Sequence, residues 1–147
     1  MSENALHLDA WRQYFETSTA LTNALDRHLE QACGLSLGDY NILLALVEAS
    51  EQRLHMGDLA EQIIFSAPRL SYRIKVHESR GWVRQVPDEH DGRSRWVVLS
   101  TDGKRVFLRA AKAHQEFVQK HFVQNVSDTD AVSLLRIFQR IELSTNE

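Results

Sequence analysis

The chain has 147 residues, of which 43% are apolar and 25% charged, proportions typical of a soluble globular domain that buries a core. No apolar run approaches the ~20 residues that a membrane-spanning helix needs, and residues 1–10 lack the basic start and apolar centre of a secretory signal. A single cysteine cannot form an internal disulfide, which fits a reducing compartment. We therefore expect a cytoplasmic protein without a membrane partner.

The net charge of −3 argues at first sight against nucleic acid, but the charge is unevenly distributed. Residues 1–51 carry eight acidic and two basic side chains, whereas residues 52–100 carry six acidic and eight basic ones. A local basic surface matters more for phosphate contact than the total charge does. The middle of the chain therefore remains a candidate for binding nucleic acid.

The first predicted element is a long amphipathic helix that ends near Cys33, with Gly34 in the stop position. Its apolar residues recur at three- and four-residue steps, with one longer gap, at Leu8, Trp11, Phe15, Leu21, Leu25 and Leu29. Ser36 is predicted to cap a second helix, with Asp39 three residues on as a variant of the capping box. Residues 54–56 are a plausible short strand at the edge of a small sheet.

Residues 58–64 and 66–80 are predicted to form two successive helices, the second of them basic. Ser66 is well placed as its N-cap, and Pro68 falls in the first turn, where its missing N–H costs nothing. Leu70 and Ile74 face inward, so the neighbouring polar residues turn mostly outward. These are Arg69, Ser71, Tyr72, Arg73 and Lys75, side chains that suit guanine edges and phosphates.

Residues 82–86 and 95–99 are predicted strands of a hairpin whose tip reads PDEHDGRS. Arg93 in this tip suits the narrow minor groove, where the potential is most negative. Asp91 is expected to hold the Arg93 guanidinium in one pose through a bidentate pair. The order helix, helix and β-ribbon is the pattern of a winged helix-turn-helix, which suits a DNA duplex.

Two further helices are predicted after the hairpin, one from the Ser100 cap to about Gln124 and one starting at Ser127. The last helix places Val132, Leu135, Phe138 and Ile141 on one face. The end helices have apolar faces too large for the winged core to cover, and such faces usually mark a partner surface. The simplest partner is a second copy, because a two-fold dimer would place two reading helices ~34–36 Å apart on DNA.

Residues 35–109 resemble the MarR family, the multiple-antibiotic-resistance type of bacterial transcription regulator. The matching text is LSLGDYNILLAL, LHMGDLAEQIIFSAPRLSYRIKVHESRGWVRQ and PDEHDGRSRWVVLSTDGKRV. Its most specific part is Asp91, Arg93, Leu99, Ser100 and Gly103. The chain departs from the family pattern at Arg73, where an apolar residue is common, and at His77, where Leu is common.

The resemblance implies a mainly α fold with a small β wing in a single domain of residues 1–147. Residues 36–100 would form the winged helix-turn-helix part, and residues 1–34 and 101–147 would form dimerisation helices. It further implies a homodimer that binds an inverted-repeat operator in double-stranded DNA, usually as a repressor. By position, residues 66–75 would be the recognition helix, Arg93 the wing arginine and Asp91 its support.

The resemblance also implies release from DNA by a small molecule or an oxidant. Aromatic and polar residues of the first helix could line a crevice for an aromatic or phenolic effector: His7, Trp11, Arg12, Tyr14 and Phe15. The alternative for these residues is plain core or dimer packing. Cys33 is either an oxidant sensor or a buried inert thiol, and the sequence shows no basic neighbour close to it.

No enzyme motif, cofactor loop or metal-ligand set is recognisable, so no catalytic residue, cofactor or metal is expected. A second class of function stays open, since winged helices also serve as protein–protein interaction modules that bind no DNA. Salt dependence separates the two, because phosphate-driven binding weakens steeply with added salt.

Overall fold

The computed structural model describes residues 4–63 and 67–147. Contacts between Cα atoms divide the chain into two compact units, Met1–Ala113 and His114–Glu147. The helices are α1 (Ala5–Cys33), α2 (Leu37–Glu48), α3 (Met56–Gln62), α4 (Ala67–Ser79), α5 (Thr101–His121) and α6 (Asp128–Thr145). The strands are β1 (Arg53–His55), β2 (Val83–Pro87) and β3 (Arg95–Leu99). The fold is thus mainly α with a small β wing, as the sequence predicts.

Helix α1 ends as predicted, because Gly34 adopts the left-handed conformation at φ 67° and its N–H bonds to Glu30 O at 2.9 Å. The Ser36 hydroxyl caps α2 by accepting from the Asp39 N–H at 3.0 Å. The predicted capping box is only half formed, however. The Asp39 carboxylate does not return to Ser36 but binds side chains of α4.

The three strands form an antiparallel sheet in the order β1-β3-β2. In the centre of β3, Val97 pairs with Leu54 of β1 and Gln85 of β2. The predicted edge strand therefore exists, but it lies one residue earlier than expected. Met56 begins α3 instead of ending the strand.

One hydrophobic core supports α4 and the sheet. Its fully buried side chains include Leu29, Leu35, Ile42, Leu43, Leu46, Leu59, Leu70, Ile74 and Val97. Leu70 and Ile74 lie inward, as their i, i+4 spacing predicts. Because α4 buries this face, its polar residues lie on the other sides of the helix.

The junction between β3 and α5 is closed by Ser100 and Gly103. The Ser100 hydroxyl lies 2.6 Å from Gly81 O and 2.9 Å from Trp82 O, and it accepts from the Gly103 N–H at 3.0 Å. A Cβ on Gly103 would lie 2.1 Å from Trp82 O, so only glycine fits.

The C-terminal unit contains the end of α5 and the whole of α6. Helix α5 ends at His121, three residues before the predicted end, and a short 3₁₀ turn covers Val123–Asn125. The apolar face of α6 is exposed, with Val132, Leu135, Phe138 and Ile141 between 39% and 66% accessible. Among residues 4–63 and 67–147, no helix combines the length and hydropathy that crossing a bilayer requires.

Candidate nucleic-acid interface

Helix α4 presents a polar face to solvent. Its exposed residues include Arg69, Ser71, Tyr72 and Lys75, in agreement with the predicted orientation. Ser66, the predicted N-cap, lies outside the described residues, and of Pro68 only the place in the first turn of α4 is described. The exposed set offers one aromatic ring, two hydroxyls and two positive charges to a ligand.

Arg73 differs from its neighbours because its side chain is only partly exposed and bound within the fold. Its Nε donates to Asp39 Oδ1 at 2.9 Å, and its Nη2 donates to Asp39 Oδ2. This fork joins α4 to α2. The sequence predicted an outward, DNA-contacting Arg73, and the pairing with Asp39 was not foreseen, since 34 residues separate the two side chains.

Asp39 is almost fully buried, with 3% of its surface exposed. Burial alone would raise the pKa of Asp39, but the contacts with His77 and Arg73 outweigh it and hold that pKa well below its ordinary value. His77 Nε2 lies 3.0 Å from Asp39 Oδ1, although its alignment is not that of a hydrogen bond. The carboxylate is therefore ionised and opposed by two side chains of α4.

The wing tip is ordered by Asp91, but not in the predicted way. Its Oδ1 accepts from the Arg93 main-chain N–H at 3.1 Å, and its Oδ2 accepts from the Ser94 hydroxyl at 2.9 Å. The described residues show no ion pair between Asp91 and the Arg93 guanidinium, so that expectation was wrong. A short carboxylate two residues before an N–H closes a local turn more readily than it reaches a long side chain.

A cleft of about 340 Å³ lies between α4 and the wing. Its lining includes Ser71 of α4 together with Arg93 and Arg95 of the wing. Ser71 and the wing, more than twenty residues apart in sequence, thus meet around one cleft, whose lining also includes Met56 and Gly57 of α3. This is the juxtaposition that a winged helix-turn-helix needs to contact both grooves of a duplex.

The base of the wing is held by His55, which sequence patterns do not mark as a site residue. Its Nε2 lies 2.7 Å from Asp88 Oδ2, its Nδ1 lies 3.6 Å from Asp58 Oδ2, and its ring stacks on Trp96 at 3.6 Å. The His90 main-chain N–H and the His55 ring lower the pKa of Asp88. A local sequence pattern could not predict this contact, because His55 ends β1 whereas Asp88 follows β2, 33 residues later.

The proposed effector residues all lie on α1. Trp11, Tyr14 and Phe15 are 61%, 47% and 58% exposed, and the Trp11 ring lies 6.0 Å from Tyr14 and 5.8 Å from Phe15. Core packing therefore does not occupy them in the single chain. Neither the cleft at the wing nor a second one near Asp39 is lined by these residues, by His7 or by Arg12. Their role as a crevice stays a prediction.

Cys33 is half-buried, and its Sγ donates to Leu29 O at 3.1 Å. The thiol is thus tied to the last turn of α1, which is an ordinary arrangement for a helical cysteine. Within the described part of the chain, no three His, Cys, Asp or Glu side chains converge as a metal site would require.

Comparisons with known proteins agree with this geometry. The MarR family model matches residues 34–94. Sco3205, a MarR family transcriptional regulator from Streptomyces coelicolor whose crystal structure is a complex with DNA, is 30% identical, with a TM-score of 0.87 over 94% of this chain and 87% of that one. AbsC, a MarR family regulator from the same organism, is also 30% identical, with a TM-score of 0.89 over 97% of this chain and 95% of that one.

A more distant structure is that of the organohalide-sensing RdhR-CbdbA1625 transcriptional regulator in its 2,4-dichlorophenol-bound form. It is 18% identical, with a TM-score of 0.78 over 95% of this chain and 81% of that one, and it shows likeness of fold alone. A search of curated proteins finds no match. Because the 30% identity to two regulators extends over almost the whole chain, this protein belongs to the MarR family of transcriptional regulators.

Proposed function

We propose that this chain is a cytoplasmic DNA-binding transcriptional regulator that acts as a homodimer on an inverted-repeat operator and represses its target. The observation that carries the proposal is the cleft in which Ser71, on the exposed face of α4, meets Arg93 and Arg95 of the wing. The DNA complex of Sco3205, 30% identical, supports the same use of the fold.

Each part of the surface suits one groove of a duplex. An α-helix fits the wide major groove, where Arg69 and Ser71 of α4 can meet base edges and Lys75 and Tyr72 can meet phosphates. The exposed Arg93 at the ribbon tip suits the minor groove. We assign residues 36–100 to DNA binding and residues 1–34 and 101–147 to dimerisation.

The dimer accounts for the exposed apolar side chains at both ends of the chain. Leu8, Trp11 and Phe15 of α1 are each at least 58% exposed, and α6 adds Leu135 and Ile141 at 63% and 52%. A monomer rarely keeps such rows of apolar side chains in water. A second copy of the chain would cover them through an interface of the same residues on both protomers.

For the effector we propose a small aromatic or phenolic compound bound near Trp11, Tyr14 and Phe15. The relative RdhR-CbdbA1625 binds 2,4-dichlorophenol. Exposed rings offer stacking surfaces, and His7 and Arg12 on the same helix offer polar partners for a phenol oxygen. Tryptophan fluorescence during titration with phenols tests this, with a Trp11→Leu variant as the control that should not respond.

The DNA-binding proposal is tested by selecting bound duplexes from a random library with the purified protein and titrating the best one with salt. Neutralised phosphates release counterions, so we expect affinity to fall roughly a thousandfold between 50 and 200 mM salt. A shuffled duplex of equal composition is the matched control. Failure to enrich any sequence, or no duplex binding at low salt, would favour the protein–protein interaction module instead.

A further inference from the structure

Two helices of this chain begin with the same Ser-x-x-Asp pattern but use the aspartate differently. At α6, Ser127 Oγ accepts from the Asp130 N–H at 3.1 Å and Asp130 Oδ2 accepts from the Ser127 N–H at 3.2 Å, which completes a capping box. At α2 the Ser36 hydroxyl caps in the same way, but the Asp39 carboxylate points into the fold. The Asp39 carboxylate therefore accepts from Arg73 of α4 and not from the main-chain N–H of Ser36.

That distant contact is strong. A buried carboxylate loses its hydration, which destabilises the fold unless the carboxylate is paired in good geometry. Arg73 provides this geometry, because its Nε and Nη2 bind the two oxygens of Asp39 as a fork. His77 and Arg73 together hold the pKa of Asp39 down, and Asp39 raises the pKa of Arg73, so both the carboxylate and the guanidinium stay charged.

A second side chain of α4 faces the same carboxylate. His77 lies four residues after Arg73, on the same face of the helix, and it is completely buried with its Nε2 3.0 Å from Asp39 Oδ1. One residue of α2 thus meets two successive turns of α4. Rotation of α4 about its axis would break the Arg73 fork and move His77 away from Asp39.

We propose that Arg73 is a positioning residue, which Asp39 holds so that α4 keeps the rotation that turns Arg69, Ser71 and Lys75 toward DNA. Arg73 then neutralises no phosphate itself, since its charge is already balanced by Asp39. This inference rests on the proposed DNA-binding function and reassigns one residue within it.

Salt titration separates positioning from direct contact. A lost phosphate contact reduces the slope of log affinity against log salt by about 0.9. We expect Arg73→Gln to weaken binding to the selected duplex roughly tenfold at every salt concentration, with the wild-type slope. The matched control is Lys75→Gln, half a turn away and exposed, which should flatten the slope. A slope flattened equally by Arg73→Gln would overturn the proposal.

Arg73→Lys gives an independent answer, because it keeps the positive charge but lacks the planar fork. Positioning predicts that Arg73→Lys weakens DNA binding about as much as Arg73→Gln does. Direct phosphate contact predicts wild-type affinity for Arg73→Lys, and this result would contradict the proposal.

The pairing itself is tested without DNA by thermal unfolding of Asp39→Asn, Arg73→Gln and the double variant. We expect the double variant to lose less in melting temperature than the two single losses combined, because each single change already breaks the same contact. Additive losses would refute the pairing. If the wild-type protein binds no duplex, the proposed function is wrong. The melting temperatures of the two single variants and the double variant still show whether Asp39 and Arg73 are paired.

If a single variant does not fold, Asp39→Leu with Arg73→Leu replaces the whole ion pair by apolar contact, a change that proteins often tolerate. A folded double leucine variant beside an unfolded single one would support the pairing. An equally unfolded double variant would count against it.

Discussion

Arg93 lies at the tip of the wing, with its main-chain N–H bound by Asp91 Oδ1 at 3.1 Å. Its side chain is exposed, and the described part of the chain shows no ion pair to it. The main chain at Arg93 is held by its hydrogen bond to Asp91, and this bond leaves the guanidinium available to a ligand. This arrangement suits insertion into a narrow groove whose shape, more than its base edges, is recognised.

We expect Arg93→Ala to weaken binding to every duplex alike, by about 1–3 kcal/mol, since a minor-groove contact of this kind distinguishes sequences poorly. Fluorescence anisotropy with the selected and the shuffled duplex measures the two losses. The control is Arg105→Ala, which removes the same charge from an exposed pair with Asp102. An affinity unchanged by Arg93→Ala would remove the wing from the mechanism.

Asp39 makes the stability of the protein depend on pH. The pKa of Asp39 is lower in the folded than in the unfolded chain, so its contribution is complete above about pH 4 and is lost as the pH falls toward the folded value. We expect the wild type to lose roughly 2 kcal/mol more unfolding free energy between pH 5 and pH 2 than Asp39→Asn does.

Denaturant unfolding at each pH measures this difference. Asp102→Asn is the control, because exposed ion pairs contribute little to stability. Equal acid losses in the wild type and in Asp39→Asn would show that Asp39 is not held ionised by α4.

At the scale of elements, the junction between β3 and α5 depends on the missing side chain of Gly103. A Cβ there would lie 2.1 Å from the Trp82 carbonyl and 2.8 Å from Leu99 Cδ1. The carbonyl also accepts the Ser100 N–H at 2.9 Å and so cannot move away freely. The wing is therefore locked to α5 by close backbone approach.

We expect Gly103→Ala to destabilise the fold by at least about 2 kcal/mol, because backbone atoms must shift to admit the methyl group. The matched control is Gly57→Ala in α3, where nothing lies within 4 Å of the added Cβ. That change should stabilise the helix by about 0.5–1 kcal/mol. Denaturant unfolding measures both, and a loss at Gly57 equal to that at Gly103 would contradict this account.

Sequence patterns predicted the elements well where the determining interactions are local. Gly34 determines where α1 ends, and the Ser127 capping box determines where α6 begins. Both features involve residues that are neighbours in sequence. The inward side of α4 follows from the spacing of Leu70 and Ile74. Periodicity and capping suffice for such features.

Long-range polar contacts could not be predicted in the same way. Nothing local shows that Asp39 leaves its helix cap for Arg73, or that His55 reaches Asp88. The departures from the family pattern at Arg73 and His77 were the one available signal, and both residues meet at Asp39. The polar details of the site are therefore set by tertiary packing, which a single sequence does not display.

At the scale of the whole molecule, the proposed function requires two protomers. Apolar residues of α6 are exposed in the single chain, with Leu135, Ile141 and Leu143 each more than half accessible. A second protomer would cover them. A recognition helix on one protomer reads only one half-site, whereas two helices one duplex turn apart read both. Dimerisation and DNA affinity should therefore be lost together.

We expect Phe138→Asp or Ile141→Asp to weaken dimerisation roughly a hundredfold, because the new carboxylate would be buried without a partner at the interface. DNA affinity should fall with it. Ser144→Asp, in the last turn of α6, adds the same charge on an exposed position away from the apolar face and is the control. A variant at Phe138 or Ile141 that still sediments as a dimer would show that the interface lies elsewhere.

The most direct test of the central claim is sedimentation equilibrium at low ionic strength, on the purified chain alone and mixed with its selected duplex. We predict a dimer that binds one duplex as a pair of protomers. A monomer whose mass does not change when the duplex is added would contradict the account.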